Sequence, residues 1–305
     1  MELLVPIALS GIAVQFYVSS YEGFFKRAEE VGYGVDVFTE CQWEWPMIAS
    51  VLYLLMVFGG KALTDAENYR PWSIAPYMFW YNVYQCVINL VTVVAMIYEV
   101  YQNPHFISPW GNFPQAGKAG VEISFWVWLH YNNKYVELLD TAFMIVRKKN
   151  DQASFLHCYH HVLLIWSWFL VVQVGAGGDS YFGACVNSFI HVIMYAYYTV
   201  ALCGIDVPKW VKQIVTKCQM TQFCVCLAHA IFVAYTGNCP PILPAMQAFV
   251  MVNMLVLFSN FSKKAYGKNV EVKAAQEDVV GAKKKMTSPS IRPAPSVDDL
   301  LVSCP

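Results

Sequence analysis

Charged residues are scarce in this sequence of 305 residues. Asp, Glu, Lys and Arg together make up 13%, whereas soluble globular chains carry about 25%. Hydrophobic residues reach 57% and aromatic residues 16%. The formal net charge of −1 provides no basic field for a nucleic-acid backbone, so no nucleic-acid partner is expected. The shortage of charge indicates instead a chain that lies largely within a lipid bilayer.

The sequence also lacks a CxxC pair, the spacing that many zinc and redox sites use. Most of the ten cysteines lie in apolar runs, where a cysteine behaves as a small buried hydrophobic residue. A disulfide framework is therefore not expected. Cys41 and Cys239 fall on the same predicted side of the membrane and could pair.

Seven apolar runs are long enough to cross the hydrocarbon core, which takes about 20 helical residues. They occupy residues 45–63, 76–101, 121–146, 155–174, 181–203, 211–235 and 242–261. Polar or turn-forming connectors separate them. The sequence therefore predicts an all-α integral membrane protein with seven transmembrane helices.

Basic residues cluster after the odd-numbered runs, which marks those connectors as cytosolic by the positive-inside rule. The cluster members are Lys61, Arg70, Arg147, Lys148, Lys149, Lys209, Lys263, Lys264 and Lys268. On the opposite side, the connector between runs two and three contains one basic residue, Lys118. We expect a luminal N-terminus and a cytosolic C-terminus, although Lys26 and Arg27 oppose this orientation.

The chain divides by composition into three parts. Residues 1–44 form a predicted luminal or interfacial segment, 45–262 a seven-helix membrane domain, and 263–305 a cytosolic tail that we expect to be disordered. The apolar run 3–18 is shorter than a span and follows no basic stretch, so an interfacial segment is expected. An additional span is the alternative.

Polar side chains inside the predicted spans recur at helical spacing, so each set shares one face of its helix. Such residues are costly in a bilayer and face the interior of the bundle. They are Asn82, Gln85 and Asn89 in the second span, Lys134, Glu137, Asp140 and Thr141 in the third, His157, His160 and His161 in the fourth, Asn187, His191 and Tyr195 in the fifth, and Thr216, Gln219 and Gln222 in the sixth. We expect these faces to line one cavity that opens to the cytosol.

Structural interpretations exist for some of these residues. Asn82, Gln85 and Asn253 could each form an ordinary hydrogen bond between helices. Glu137 and Asp140 could pair with Lys134 and hold the bundle together. His130 and His229 have no histidine partner at helical spacing and are expected to be structural or interfacial.

The histidine cluster fits two chemistries. Membrane di-iron oxidoreductases use several HxxHH boxes, but this chain has one box and seven histidines in all. A single metal held by His157, His160, His161 and Asp140 stays open as the alternative. In the second chemistry, acyl transfer, an imidazole attacks a thioester and carries the acyl group. A seven-span receptor or transporter requires no such box.

Four sequence blocks decide between these chemistries by resemblance. KYVELLDT (134–141), HCYHH (157–161), NSFIHVIMYAYY (187–198) and TKCQMTQF (216–223) resemble the signature blocks of the ELO family of fatty-acid elongases, in the same order. The resemblance implies seven helices, six of which enclose a tunnel for the acyl chain. It also implies condensation of malonyl-CoA with an acyl-CoA to give a 3-oxoacyl-CoA, without a metal or other cofactor.

The resemblance further assigns roles within the site. His160 matches the nucleophile, His191 its partner, and His157 and His161 groups that assist decarboxylation or orient the substrate. Lys134, Glu137, Asp140, Asn187 and Gln222 would fix the imidazole tautomers, and Tyr195 could donate a hydrogen bond to an oxyanion. A catalytic Cys158, by analogy with soluble condensing enzymes, is not expected.

The substrates determine the remaining expectations. Arg147, Lys148, Lys149, Lys209 and Lys212 are candidates for binding the CoA phosphates, although the positive-inside rule accounts for basic residues there equally well. The sequence that flanks these blocks resembles that of algal and protist elongases, which act on polyunsaturated acyl chains of about C18 to C20. The resemblance implies an endoplasmic reticulum membrane, with other elongation-cycle enzymes and a second copy of the chain as possible partners.

Overall fold

The computed structural model describes residues 22–26, 28, 42–103, 110–115 and 117–264, and within these the regular structure is helical throughout. The side chains of residues 119 and 209 are not described. The predicted interfacial run 3–18, Cys41 and the tail beyond residue 264 lie outside the described residues. The chain divides into two compact units, 1–258 and 259–305. Of the second unit, the structure describes the end of one helix, up to Lys264.

Eight helices are described from residue 44 onward, after a short helical segment at residues 22–26. They are α1 Glu44–Asp65, α2 Ala75–Gln102, α3 Lys118–Val136, α4 Leu139–Val146, α5 Phe155–Gly175, α6 Ser180–Leu202, α7 Lys209–Thr236 and α8 Ile242–Ser262. Six of these (α1, α2, α5, α6, α7 and α8) are long and apolar enough to cross a membrane. The chain is therefore a multi-pass membrane protein, as predicted.

The predicted third span, 121–146, is divided, and the expectation of one continuous helix is wrong. Helix α3 ends at Val136 and α4 begins at Leu139. At the junction, the Leu138, Asp140 and Thr141 N–H groups donate to carbonyls three residues earlier rather than four. This tightening is typical of a 3₁₀ turn, which often marks a functional position within a helix. Neither α3 nor α4 is among the six long apolar helices.

Local sequence explains where the helices around the histidine box begin and end. The Ser154 hydroxyl caps α5 by accepting a hydrogen bond from the His157 N–H at 3.3 Å. Helix α7 ends at Gly237, which has the left-handed conformation (φ 69°) favoured by glycine at a helix C-terminus. Because Ser154 fixes the start of α5, the three box histidines lie in its first two turns.

Helix packing brings the polar faces together. Helix α2 packs chiefly on α6, α3 contacts α2, α5 and α6, and α1 packs on α4 and α5. Gly60 of α1 allows a close approach to α4, because a Cβ atom at Gly60 would lie 2.8 Å from Cγ2 of Ile145. Small residues at such contacts let membrane helices pack closely. The polar residues of α2, α3, α5 and α6 therefore face one another.

A buried carboxylate anchors the end of the bundle opposite the histidine box. Asp179, between α5 and α6, accepts hydrogen bonds from the Gly111 N–H at 2.5 Å and from the backbone and side-chain amides of Asn112, both at 2.8 Å. Nε2 of His229 on α7 lies 3.6 Å from Oδ2 of Asp179. Burial alone would raise the pKa of Asp179, but His229 and these amides together hold it below its ordinary value. The carboxylate thus ties the loop before α3 to the α5–α6 turn.

We expect Asp179→Asn to lower the thermal unfolding midpoint by about 5 °C at pH 7, since charge-assisted hydrogen bonds are lost. A lowered folded-state pKa stabilises the fold above the unfolded pKa of about 3.9, and this contribution disappears as the pH falls through the folded value. The variant should therefore lose less stability than the parent between pH 5 and 3. Tryptophan fluorescence during heating in detergent measures both effects. The exposed Asp206→Asn is the control, and equal midpoints for the two variants would contradict the assignment.

Candidate active site

Three histidines project from the first two turns of α5 and contact one another. The rings of His157 and His161 are 4.5 Å apart between centroids, and those of His160 and His161 are 5.6 Å apart, both edge to face. His161 is buried, whereas His157 and His160 are only partly buried. The box predicted from sequence is therefore a compact imidazole cluster with two accessible members.

His157 is fixed by a hydroxyl from α4. Its Nε2 lies 2.8 Å from Oγ1 of Thr141, and the Tyr53 hydroxyl of α1 lies 2.9 Å from the same oxygen. The sequence predicted Thr141 on the polar face of the third span. It did not identify Tyr53, because a tyrosine within an apolar run is usually a core residue. Its one signal is that it follows Ser50 at helical spacing.

His160 has an unusual partner, the thioether of Met254 on α8. Nδ1 of His160 lies 3.3 Å from Sδ of Met254, which is fully buried. No sequence signal distinguishes this methionine from its apolar neighbours. The contact occupies one nitrogen of the ring and leaves Nε2 without a hydrogen bond to the described residues.

A buried ion pair lies on α3, at the break before α4. Nζ of Lys134 donates to Oε1 of Glu137 at 2.8 Å and to Oδ1 of Asn187 on α6 at 2.9 Å. Nδ1 of His191, one turn along α6 from Asn187, lies 3.1 Å from the same Glu137 oxygen. Lys134 and Glu137 are each 1% exposed, so the protein interior supplies all their partners.

Two further amides complete this network. Nδ2 of Asn133 lies 3.3 Å from Oε1 of Glu137 and donates to Oε1 of Gln85 on α2 at 2.9 Å. Gln85 also accepts from Asn89 at 3.2 Å. The structural interpretation of Gln85 was a hydrogen bond between helices, and Gln85 does bond to Asn133 of α3. Because Asn133 also lies beside Glu137, this bond connects Gln85 to the ion-pair network. Asn133 was missed, although it precedes Glu137 by four residues.

Asp140 lies beyond the break and has a different partner. The Tyr195 hydroxyl donates to Oδ2 of Asp140 at 2.6 Å, and the Tyr81 and Tyr195 hydroxyl oxygens are 3.4 Å apart. Nε2 of Gln85 donates to the Tyr81 hydroxyl at 3.4 Å, which joins this group to the network of Glu137. The Tyr195 hydroxyl has one hydrogen, and it is donated to Asp140. Tyr195 could therefore donate to an oxyanion only after its hydrogen bond to Asp140 is broken.

The imidazole cluster and the ion pair belong to one site. Lys134, Glu137 and His191 lie close enough to His160 to act on it electrostatically, and Lys134 and Glu137 act on His161 in the same way. Gln222 is buried on α7, but it makes no hydrogen bond to the described residues. The structure thus unites all the candidate catalytic residues except Gln222.

The basic side chains that are candidates for binding CoA do not form one cluster among the described residues. Arg147 directs Nη1 to Sδ of Met78 at 3.5 Å, and Nζ of Lys148 lies 3.4 Å from the Ala66 carbonyl oxygen. Lys149 and Lys212 are exposed, and the side chain of Lys209 is not described. Their binding of CoA stays a prediction. Among the described residues, no three His, Cys, Asp or Glu side chains are grouped as metal ligands.

We expect Lys134→Met to destabilise the fold by about 3–5 kcal/mol, because it leaves the Glu137 carboxylate buried without its cation. The double variant Lys134→Met/Glu137→Gln should recover part of that loss. The control is the pair of the exposed Lys118 and the partly buried Glu122 on the same helix, whose charged atoms are 3.8 Å apart, since pairs that water can screen contribute about 0–1 kcal/mol. Denaturant unfolding in detergent gives the free energies. A single variant as stable as the parent would show that Glu137 does not depend on Lys134.

Comparison with known proteins is consistent with this geometry. The ELO (GNS1/SUR4) family model matches residues 38–274. Very long chain fatty acid elongase 4 of Mus musculus is 34% identical over 241 residues, which cover 76% of this chain and 75% of the relative. Fatty acid elongase 4 of Trypanosoma brucei brucei is 32% identical over 232 residues, which cover 75% and 87% respectively. The chain therefore belongs to the ELO family and is, like these relatives, a fatty acid elongase.

Proposed function

We propose that this elongase condenses malonyl-CoA with a long-chain acyl-CoA to give a 3-oxoacyl-CoA, CO2 and CoA, and that His160 is the nucleophile. The observation that carries the proposal is the pairing of Nδ1 of His160 with Sδ of Met254 at 3.3 Å. A thioether sulfur accepts hydrogen bonds and cannot donate them. Nδ1 therefore holds the ring proton, and Nε2 presents its lone pair.

Acyl transfer to this nitrogen balances without a cofactor. Nε2 attacks the thioester carbonyl, the C–N bond forms, and the C–S bond breaks to release the CoA thiolate. The acylated ring then loses its Nδ1 proton, which neutralises the thiolate. The products of this half-reaction are an acyl-imidazole at His160 and free CoA.

The second half-reaction uses malonyl-CoA. Loss of CO2 leaves an enolate, which attacks the acyl carbon, so that a C–C bond forms and the bond to His160 breaks. The ring takes up one proton, which matches the single proton that the overall condensation consumes. Nδ1 of His191 lies 3.1 Å from the Glu137 carboxylate, the partner that a cationic imidazole would need in this buried position. We propose that His191, in its cationic form, donates Nε2–H to the enolate oxygen.

The remaining partners fix this arrangement. Lys134 bridges Glu137 and Asn187 and so holds the carboxylate that orients His191. His157 and His161 flank the nucleophile as groups that orient the substrate. Arg147, Lys148, Lys149, Lys209 and Lys212 are the proposed contacts of the CoA phosphates. Gln222, which is buried on α7, is proposed as a member of the site from the sequence blocks alone.

The membrane topology is part of the proposal. Helices α3 and α4 together comprise residues 118–146, about 43 Å at 1.5 Å per residue, which is long enough for a crossing. Their charged residues lower the hydropathy of the pair, but the bundle interior supplies partners for them. Counting this pair as the third span gives seven crossings, with the N-terminus luminal and the basic connectors cytosolic. We place the enzyme in the endoplasmic reticulum and six of its helices around an acyl tunnel.

Two features of the substrate are proposed from the sequence blocks alone. The acyl chain is proposed to be polyunsaturated and to be a C18 to C20 chain.

The alternative function is a metal-dependent membrane oxidoreductase that uses the same histidine box. The two functions differ in their need for malonyl-CoA and for metal.

The decisive assay combines membranes that contain the protein with labelled malonyl-CoA and a panel of acyl-CoAs. We expect two-carbon-extended 3-oxo products, unaffected by EDTA and absent with His160→Gln. Equal amounts of folded variant, measured by detergent gel filtration, exclude a folding defect. Activity that is lost on chelation and restored by iron would favour the oxidoreductase. Condensation by His160→Gln would contradict the assignment of the nucleophile.

We expect Met254→Leu to reduce kcat about fivefold without changing KM, because a leucine of similar volume cannot accept the Nδ1 hydrogen bond, which contributes about 1 kcal/mol. In a separate experiment with labelled acyl-CoA and no malonyl-CoA, transfer of the acyl group to the enzyme should also be slower in Met254→Leu than in the parent. The control is Met251→Leu, at a buried position of the same cluster, where the methionine has no hydrogen bond to a histidine of the described residues. Equal rates for these two variants would show that Met254 only fills space.

A further inference from the structure

Helix α1 packs at the edge of the bundle. It contacts α4 and α5, and several large apolar side chains, including Leu52, Leu55 and Phe58, are exposed on its outer side. Its buried side chains recur along one face; they are Pro46, Ser50, Tyr53, Val57 and Thr64. By this packing alone, α1 would be a membrane anchor without a part in the chemistry.

One residue of that buried face is connected to the histidine box. Tyr53 is 3% exposed, and its hydroxyl lies 2.9 Å from Oγ1 of Thr141, which is fully buried. The same Thr141 oxygen lies 2.8 Å from Nε2 of His157. Two short contacts thus join three helices, α1, α4 and α5, in a single path that ends on a box histidine.

We infer that Tyr53 and Thr141 are positioning residues that hold His157 in one orientation and one tautomer. The inference rests on the proposed function, because it assigns His157 a part in the condensation. Each hydroxyl has a single hydrogen to donate. The hydrogen of the fully buried Thr141 has Tyr53 and His157 as its only candidate acceptors among the described residues. The phenol is the more acidic hydroxyl, so Tyr53 donates to Thr141, and Thr141 donates to Nε2 of His157.

This direction defines what His157 can do. With Nε2 accepting from Thr141, the ring proton resides on Nδ1, which makes His157 a hydrogen-bond donor at that atom. Its lone pair is occupied, so His157 cannot compete with His160 for the acyl group. His157 is therefore suited to donate to the thioester carbonyl or to the enolate oxygen. The edge helix α1 thus acts on the chemistry through its phenol.

The chain offers a matched control on the same face of α1. Ser50, one turn before Tyr53, accepts a hydrogen bond from Nε1 of Trp166 on α5 at 3.1 Å. Ser50→Ala therefore removes a bond between α1 and α5 of similar length, but one that leads to no histidine. It reports what a loss of helix docking alone would do.

The test compares Tyr53→Phe, Thr141→Val, Thr141→Ser, the double variant Tyr53→Phe/Thr141→Val, and Ser50→Ala. We expect kcat per folded enzyme to fall about fivefold in Tyr53→Phe and about tenfold in Thr141→Val, with KM unchanged, on the scale of a lost hydrogen bond. Thr141→Ser should restore most of the activity. The double variant should be no slower than Thr141→Val, because both changes interrupt the same path.

A second readout does not depend on activity. Diethyl pyrocarbonate modifies imidazole nitrogens that carry a free lone pair, and peptide mass spectrometry locates the modified ring. Modification of His157 should be several-fold faster in Thr141→Val than in the parent or in Ser50→Ala. An unchanged rate at His157 would overturn the inference, as would a loss of kcat in Ser50→Ala equal to that in Tyr53→Phe.

The two proposals fail in different ways. If the parent protein forms no 3-oxo product, the proposed function fails, and if His160→Gln still condenses malonyl-CoA, the assignment of the nucleophile fails. In both cases the modification rate of His157 still tests the path. If His160→Gln is inactive but Tyr53→Phe and Thr141→Val keep full kcat, only the positioning role is wrong.

Discussion

A charge buried in a bundle surrounded by lipid must find its partner inside the protein, because the hydrocarbon offers none. Lys134 and Glu137, each 1% exposed, meet this requirement with each other and with Asn187, while His191 approaches the same carboxylate. Breaking such a pair leaves an unpaired buried charge, so the helices that supply its partners are held in register. The ion pair thus aligns α3 with α6 and, through Asn133 and Gln85, with α2.

The break between α3 and α4 follows from the same requirement. Glu137 lies at the point where the backbone tightens to hydrogen bonds three residues apart. There the backbone N–H of Asp140 bonds to Glu137, and the Val136 carbonyl oxygen lies 3.4 Å from the Tyr81 hydroxyl instead. A backbone carbonyl left over in a membrane helix needs such a partner. The polar side chains therefore satisfy the irregular backbone as well as each other, and Asp140 faces Tyr195 as a result.

The sequence was sufficient for features that depend on local periodicity. The fourth predicted run, 155–174, matches α5 Phe155–Gly175 closely, and 181–203 matches α6 Ser180–Leu202, because span length and helical spacing are local properties. The shared faces of Lys134 with Glu137 and of Asn187 with His191 were predicted for the same reason. The helix break, Tyr53 and Met254 could not be predicted in this way. Each involves a contact between residues that are 55 to 94 positions apart in the chain. These contacts are Tyr81 with Val136 at the break, Tyr53 with Thr141, and Met254 with His160.

The partners of each imidazole separate chemically similar histidines into different roles. Thr141 contacts Nε2 of His157, whereas Met254 contacts Nδ1 of His160. A hydroxyl can give or accept a proton in a hydrogen bond, but a thioether can only accept one. Met254 therefore determines the tautomer of His160 by its chemistry alone, whereas Thr141 requires Tyr53 to give its own bond a direction. His191 differs from both, because its neighbour is the Glu137 carboxylate, which offsets part of the cost of burying a cation. Three identical rings thus have a hydroxyl, a thioether and a carboxylate as neighbours, and the proposed condensation assigns them the roles of neutral donor, nucleophile and cationic donor.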